Sequence, residues 1–384
     1  MHGLVALARP QYRRDGERMR LERPLDSVAM PPVAVRILHP EPGTEAGPLT
    51  HRLANARSQV AERHRRGFLA AGAADVEVVS GPPDDRSFGD RLGDLLERGA
   101  VPGGLIVLGS GAIPLATDAD RRAFVAVAAA DERSALANSR YSADVVAIAR
   151  AGSLPEVPAL PGDNALPRWL EEVAGYRVDD LRRRWRLSFD IDGPLDLVLL
   201  GAADHGDALV VDRLTAVRAV AADRRAELLV AGRTSASTLG WLERHAAARV
   251  RAWVEERGLR ASSRLAQADG RPGRGPASLL GLVLERDGAA SLGEHLARFA
   301  DAAIVDSRVL LAHRLGGDET GWPRAEDRFA SDLLLSEAVA DPWLRELTAS
   351  AASAPIPILL GGHTLVGPGV RFVVSGPPRR TRWM

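Results

Sequence analysis

Leu187-Ser188-Phe189-Asp190-Ile191-Asp192-Gly193-Pro194-Leu195-Asp196-Leu197 sets two carboxylates one residue apart, between an arginine-rich helix end (Arg182 to Arg186) and a Gly-Pro turn. Read as a short apolar strand, it puts Asp190 and Asp192 on one face and turns Ile191 to the other, because successive strand side chains alternate. Paired hard oxygen donors on one face suit Mg²⁺, a cation that commonly also holds nucleotide phosphates. Asp196-Leu197 is placed to start the next element. The alternative without a ligand is strand-end capping plus an ion pair with Arg184 or Arg186, worth ~0–1 kcal/mol if exposed.

On the N-terminal side of this stretch, apolar runs over 33–38, 75–79 and 104–108 read as strands. Helical patterns over 49–71, 88–98, 118–130 and 164–174 alternate with them. The run Gly104-Leu-Ile-Val-Leu108 is apolar throughout, as a parallel strand covered on both faces requires. On the C-terminal side, Gly201-Ala-Ala-Asp-His-Gly206 reads as a junction. A second series follows it, with strands over 227–231, 250–255, 279–284, 302–311 and 356–360. Its helices are expected over 237–246, 291–299, 326–339 and 342–352. Such alternation predicts an α/β fold, a mostly parallel Rossmann-like sheet with helices on both faces. Residues 1–30 read as an arm, 31–203 as the first domain, and 204–384 as a C-terminal α/β domain or extension. The Gly/Pro/Arg segment 267–276 reads as a mobile loop.

The composition excludes several chemistries. All fifty basic residues are arginine, so Schiff-base chemistry and a Walker-A lysine are ruled out. Without cysteine there is no disulfide, thiolate metal site or thiol nucleophile. The fifty Asp and Glu balance the arginines to a formal charge of zero, which argues against a nucleic-acid footprint. Asn and Gln, at three each, are scarce, as in chains from GC-rich or warm-habitat genomes. No stretch approaches the ~20 apolar residues that cross a bilayer, and the N-terminus is a poor signal peptide. A cytoplasmic protein with no membrane partner is expected.

Across residues 33–200 the order of landmarks resembles the nucleotide-diphospho-sugar transferase (GT-A-like) superfamily. The nearest branch is that of molybdenum-cofactor and 2-phospho-lactate guanylyltransferases. Asp190-Ile-Asp192-Gly-Pro-Leu-Asp196-Leu197 is similar to that group's "D-[IV]-D-T-P-x-D-L" element. Leu108-Gly109-Ser110-Gly111-Ala112-Ile113-Pro114-Leu115-Ala116-Thr117-Asp118-Ala119-Asp120 is similar to its "L-G-S-D-x-P-L-[LI]-T" strand end and the helix opening after it. Asn138 to Asp144 resembles a central segment beside the site, and Pro161 to Leu166 the approach to the final aspartate element. The resemblance implies a GT-A-like sheet, with Gly109, Ser110 and Gly111 lining a nucleotide or sugar phosphate through their backbone N–H groups, and Asp190 and Asp192 holding Mg²⁺; the plainer reading of Gly109 to Gly111 is a tight turn.

Two departures bear on the reaction. The first strand is followed by His39-Pro40-Glu41-Pro42-Gly43 instead of the family's Gly-rich loop with Arg and Lys. Gly109 to Ile113 also lack the carboxylate expected beside Pro114. Losing a ligand and the cationic loop together should cost several kcal/mol of transition-state stabilisation. Two readings therefore stand: a divergent nucleotidyl- or glycosyltransferase-like enzyme, and a non-catalytic binding or scaffolding protein that retains the fold. Homodimerisation is compatible with either, and an unrelated active site in the C-terminal half is a third option.

Other constellations lie in that half. Arg233, in Gly232-Arg-Thr-Ser235 between a strand and a helix, can clamp a phosphate or carboxylate of the acceptor; the plainer reading is helix capping. His363, in Gly361-Gly-His-Thr364, is a catalytic or ligand candidate in a Gly-rich loop, or part of a tight turn. Asp306 and Arg308, with Glu326, Asp327, Arg328 and Asp332, read as a salt-bridge network or a second polar site. No H-E-x-x-H pair or G-x-S-x-G elbow occurs.

Overall fold

The alternating β and α pattern takes form in the computed structural model, which describes residues 31–82, 84, 86–98, 103–256 and 275–378. The expected arm, 1–30, and residues 267–274 of the expected loop lie outside the described residues. Six strands build the first sheet: β1 (Val33–Pro40), β2 (Asp75–Gly81), β3 (Gly104–Gly109), β4 (Ser134–Ala137), β5 (Val145–Ile148) and β6 (Arg177–Asp180). Their order is β2-β1-β3-β5-β4-β6. All pairings are parallel except those of β5, which runs antiparallel to β3 and β4.

Strand β3 shows why its sequence is apolar throughout. Ile106 and Leu108 pack with Phe68 of α1 (Pro48–Ala70) and Phe124 of α3 (Asp118–Ala128). Leu105 and Val107 face the other way, onto Leu92 of α2 (Phe88–Arg98) and Trp169 of α4 (Leu166–Glu172). Both faces are covered, so neither set of side chains is left for water.

After α5 (Pro194–Leu199) and α6 (Ala208–Ala222), a second sheet is wholly parallel. Its strands are β7 (Glu227–Gly232), β8 (Arg249–Val254), β9 (Ala302–Asp306) and β10 (Ile358–Gly361), in the order β10-β9-β7-β8. Leu228, Val230 and Ile304 pack toward α6. Leu229, Ala303 and Val305 pack toward α8 (Leu279–Asp287), α9 (Leu292–Ala297) and α12 (Pro342–Ser353). The remaining helices are α7 (Ala236–His245), α10 (Ser307–Leu315), α11 (Ala325–Asp332), α13 (His363–Val366) and α14 (Val370–Ser375).

Several segments differ from expectation, among them the helix expected over 326–339, which ends at Asp332 and is followed by a 3₁₀ turn over Ser336–Ala338. Residues 279–287 form a helix rather than a strand. Leu280 and Leu284 are buried while Leu279 and Leu282 are exposed, an i, i+4 pattern that a short apolar run conceals, and the Ser278 side chain caps it. Strand β9 stops at Asp306, whose carboxylate accepts the amide of Arg308 and starts α10. Residues 185–188 form a 3₁₀ turn, and 189–193 run extended without joining a sheet.

Helix α1 connects the layers that position the site. Leu53, Ala56 and Val60 belong to the core of the second sheet, and Ala61 and Phe68 to that of the first. Its N-terminus is capped from far along the chain: Glu326 of α11 accepts the amides of Leu49 (2.9 Å) and Thr50 (3.0 Å). Among the described residues no helix is long and apolar enough to cross a membrane.

Candidate functional site

The turn after β3 is held on all sides by its own neighbours. The Gly109 amide donates to Asp144 O (3.3 Å) and the Ser110 amide to Leu38 O (2.9 Å). These two N–H groups are thus engaged within the protein, as in a tight turn. The fully buried His64 of α1 bonds Ala112 O through Nε2 (2.8 Å), and His39 Nδ1 lies 3.0 Å from Ser110 Oγ. Burial and Arg57 depress the His39 pKa, with Glu41 opposing. Ile113 is fully buried with φ of 41°, a left-handed conformation that disfavours a β-branched residue.

Gly111 serves packing. Its carbonyl accepts the Ile191 amide (3.1 Å), and a Cβ there would stand 2.8 Å from Ile191 O and 2.9 Å from Arg57 Nε. The segment 189–193 therefore lies directly on this turn. Phe189 and Ile191 are fully buried, so Asp190 and Asp192 point the other way. The alternation expected of a strand survives, although the partner is a turn instead of a neighbouring strand.

Asp190 and Asp192 have different surroundings. Burial, with Asp192 and Asp144 close by, pushes the Asp190 carboxyl well above its ordinary value. Asp192 is half exposed, and its Oδ atoms lie 3.6 Å from Arg57 and 3.7 Å from His363. Against the cost of burial, His363, Arg57 and a hydrogen bond from Asp190 hold Asp192 below the usual carboxylate range. Burial and the neighbouring carboxylates thus favour the neutral form of Asp190, while the nearby cations favour the charged form of Asp192. Asp196 accepts the Asp192 and Gly193 amides (2.8 Å each) at the start of α5. Burial and Asp192 nevertheless raise it.

Arg184 and Arg186 do not pair with Asp190 or Asp192. Both bind Asp120, at 2.7 and 2.9 Å, which also closes a capping box with Thr117. That aspartate, expected to open a helix, is a structural anchor between α3 and the 3₁₀ turn.

Gly109, Ser110, Gly111 and Asp190 line one cleft of about 230 Å³ at the carboxyl ends of β1 and β3. Its apolar walls include Leu38, Phe88, Val107 and Leu166; Arg57, Arg91, Asp144 and Asp163 supply the polar positions. His363, first residue of α13, approaches through Asp192. Arg233 does not join this group. It forms a two-bond pair with Asp306 (2.7 and 3.1 Å) and lines a separate cleft.

Two residues of the site had no assigned role in the sequence reading. Arg57 lies in an arginine-rich helix whose pattern gives no sign that one guanidinium reaches Ile191 O (2.8 Å). Asp144 lay within the Asn138–Asp144 segment; buried Asn138 donates to its carboxylate (2.7 Å) and accepts its amide (2.9 Å). Among the described residues no three His, Asp or Glu side chains group as metal ligands. No family model matches the chain, and neither does any curated protein.

Proposed function

We propose that the chain binds a nucleotide or nucleotide-sugar in the cleft beside Gly109–Gly111, as a divergent member of the nucleotidyl- and glycosyltransferase-like proteins its sequence resembles. The observation that carries the reading is the convergence of Asp190 with the Gly109–Gly111 turn on one cleft at the carboxyl ends of β1 and β3. Ligands of α/β sheets collect at such ends. At about 230 Å³ the cleft is slightly below the usual ~300–1,000 Å³ of small-molecule sites. It suits a base or sugar, with phosphates extending past Arg57 toward Asp190 and Asp192.

The donor set fits Mg²⁺ in the form that cation prefers with nucleotides, one or two carboxylates with phosphate and water completing the shell. Asp190 and Asp192 would hold it, and it would neutralise phosphate charge and favour the charged form of both carboxylates. Arg57 is the cation nearest the pair in a chain without lysine.

A non-catalytic binding protein is the second reading, favoured by the engagement of the Gly109 and Ser110 amides and by His363 and Arg57 beside Asp192. A thermal-shift panel of GTP, CTP and UDP-glucose, with and without Mg²⁺, tests both. A ligand at a hundred times its Kd stabilises by ~2.7 kcal/mol. A Mg²⁺-dependent shift lost in Asp190→Asn supports the site, and release by the unmodified chain of pyrophosphate from GTP or CTP, or of UDP from UDP-glucose, with water as the acceptor, separates enzyme from binder. No shift with any nucleotide would refute both forms of the proposal.

A further inference from the structure

The second sheet has its own switch point. From β7 the chain moves to β8 at one edge, then crosses back to β9 on the other side of β7 and continues outward to β10. The connections leaving β7 and β9 therefore diverge, and open parallel sheets bind ligands in the crevice outside the carboxyl ends of two such strands. Arg233 is the first residue after β7, and Arg308 follows the end of β9 by two residues. Both line a cleft of about 180 Å³ there, together with Val309, Ala312, Glu319 and Trp322.

The two guanidiniums are fixed from behind. Asp306, buried at the end of β9, takes Arg233 Nε at 2.7 Å and Nη2 at 3.1 Å. Asp332 of α11, also buried, takes both Nη atoms of Arg308 at 2.6 Å. Gly232, at φ of 125°, permits this arrangement, since a Cβ there would collide with the Asp306 side chain. Buried ion pairs stabilise a fold no better than apolar residues of similar volume. Two of them side by side at a switch-point crevice instead hold two guanidiniums, the group that recognises carboxylates and phosphates, in fixed orientation beside the cleft. Trp322 supplies a flat apolar wall; its indole N–H bonds Gly316 O (2.9 Å), and Arg328 lies 5.7 Å from its ring centre.

We infer that this crevice is a binding site for a small molecule bearing one carboxylate or phosphate group, held by Arg233 and Arg308 with its carbon skeleton against Trp322. Glu319, exposed and 3.2 Å from Arg328, stands at the rim and disfavours polyanions such as nucleoside triphosphates. The inference does not rest on the nucleotide reading, because the two clefts share no lining residue.

Isothermal titration of the full chain at low ionic strength, with inorganic phosphate in one arm and propionate in the other, tests it. One probe should bind saturably at a single site, and the better of the two names the ligand class. Arg233→Gln should weaken that binding at least tenfold, and Glu319→Gln should strengthen it several-fold. Asp190→Asn, in the other cleft, should leave it unchanged. Should Arg233→Gln fail to fold, Trp322→Ala replaces it, with a several-fold loss expected. Absence of saturable binding in both arms overturns the inference. So does affinity indifferent to the crevice variants, or affinity abolished by Asp190→Asn.

Discussion

Nδ1 of His363 stands 3.7 Å from Oδ2 of Asp192, and this contact brings the carboxyl end of β10 to the segment that rests on the turn after β3. The two sheets thereby direct strand ends at the same stretch of chain. The contact is an ion pair only while the imidazole carries a proton, and both side chains are partly exposed. Exposed pairs of this kind contribute ~0.2–1 kcal/mol. A double-mutant cycle of Asp192→Asn and His363→Gln, followed by urea unfolding, should return a coupling energy in that range. A coupling of zero in mildly acidic buffer would remove the electrostatic link, leaving only proximity.

Gly111 and Gly109 differ sharply although both belong to one Gly-Ser-Gly turn. An added Cβ at 111 meets Ile191 O and Arg57 Nε, whereas at 109 nothing lies within 4 Å. Gly111→Ala should destabilise by ~1–3 kcal/mol, the usual range for forcing a methyl group into a packed contact. Because the 189–193 segment must then move, Gly111→Ala should also weaken any ligand in the first cleft. Gly109→Ala should change stability by less than ~0.5 kcal/mol. Equal midpoints in denaturant for the two variants would contradict the packing role assigned to Gly111.

That contrast marks what local sequence can convey. The helix over 88–98 and the run 104–108 were legible because periodicity and length agreed with burial on one face or both. The run Leu279-Leu280-Gly281-Leu282-Val283-Leu284 reads equally as strand or helix because five apolar residues around one glycine suit either period, and only the cap and the neighbouring helices decide. Asp190 was legible as a cleft residue, since a carboxylate between buried Phe189 and Ile191 must point outward. Its neighbours were not. Arg57 and Asp144 come beside it, and His363 beside Asp192, through tertiary register between distant segments, which no short-range pattern encodes.

Glu326 caps a helix 277 residues before it in the chain, with both carboxylate oxygens on the first turn of α1 and Thr50 Oγ1 at 2.8 Å. Gly47, the residue before that helix, offers no side chain to do so. Glu326→Ala should therefore lower stability by ~1–2 kcal/mol, as loss of a good N-cap does. Thr50→Ala should lose less, since the amide bonds remain. If chemical denaturation shows Glu326→Ala within ~0.5 kcal/mol of the unmodified chain, water caps that terminus equally well.

Asp120 is fully buried and carries Arg184, Arg186 and the Thr117 capping bonds at once. Burial alone would raise its pKa; the Thr117 bonds, then Arg186 and Arg184, outweigh that and bring it down to about 2 from an ordinary 3.8. The resulting stabilisation is fully present above pH 3.8 and is lost as pH falls through about 2. The arginines are 34–41% exposed, so water recovers part of what they lose. Asp120→Asn should cost about 2–3 kcal/mol at pH 7, near the lower limit for breaking buried pairs. The deficit should shrink toward pH 2.5 when both proteins are followed by thermal unfolding; a deficit constant with pH would assign it to packing.

His64 works in a different window. Burial, with Arg121 close by, lowers its pKa to about 3, so it stays neutral in the fold while an unfolded chain protonates it near 6.5. Between those values the unfolded state binds the extra proton. Stability from this residue is therefore complete above pH 6.5 and falls by up to ~1.4 kcal/mol per pH unit on acidification. Protonation also forces the ring from a pocket where Nδ1 has no partner and Nε2 holds Ala112 O. The turn that lines the first cleft should loosen at the same step, so ligand affinity there should decline in acid ahead of global unfolding. His64→Gln keeps a donor near Ala112 without a titrating ring, and its stability should be flatter from pH 6.5 to 4.5. If the unmodified chain and His64→Gln lose stability in parallel across that interval, the acid response arises elsewhere and His64 is only a packing residue.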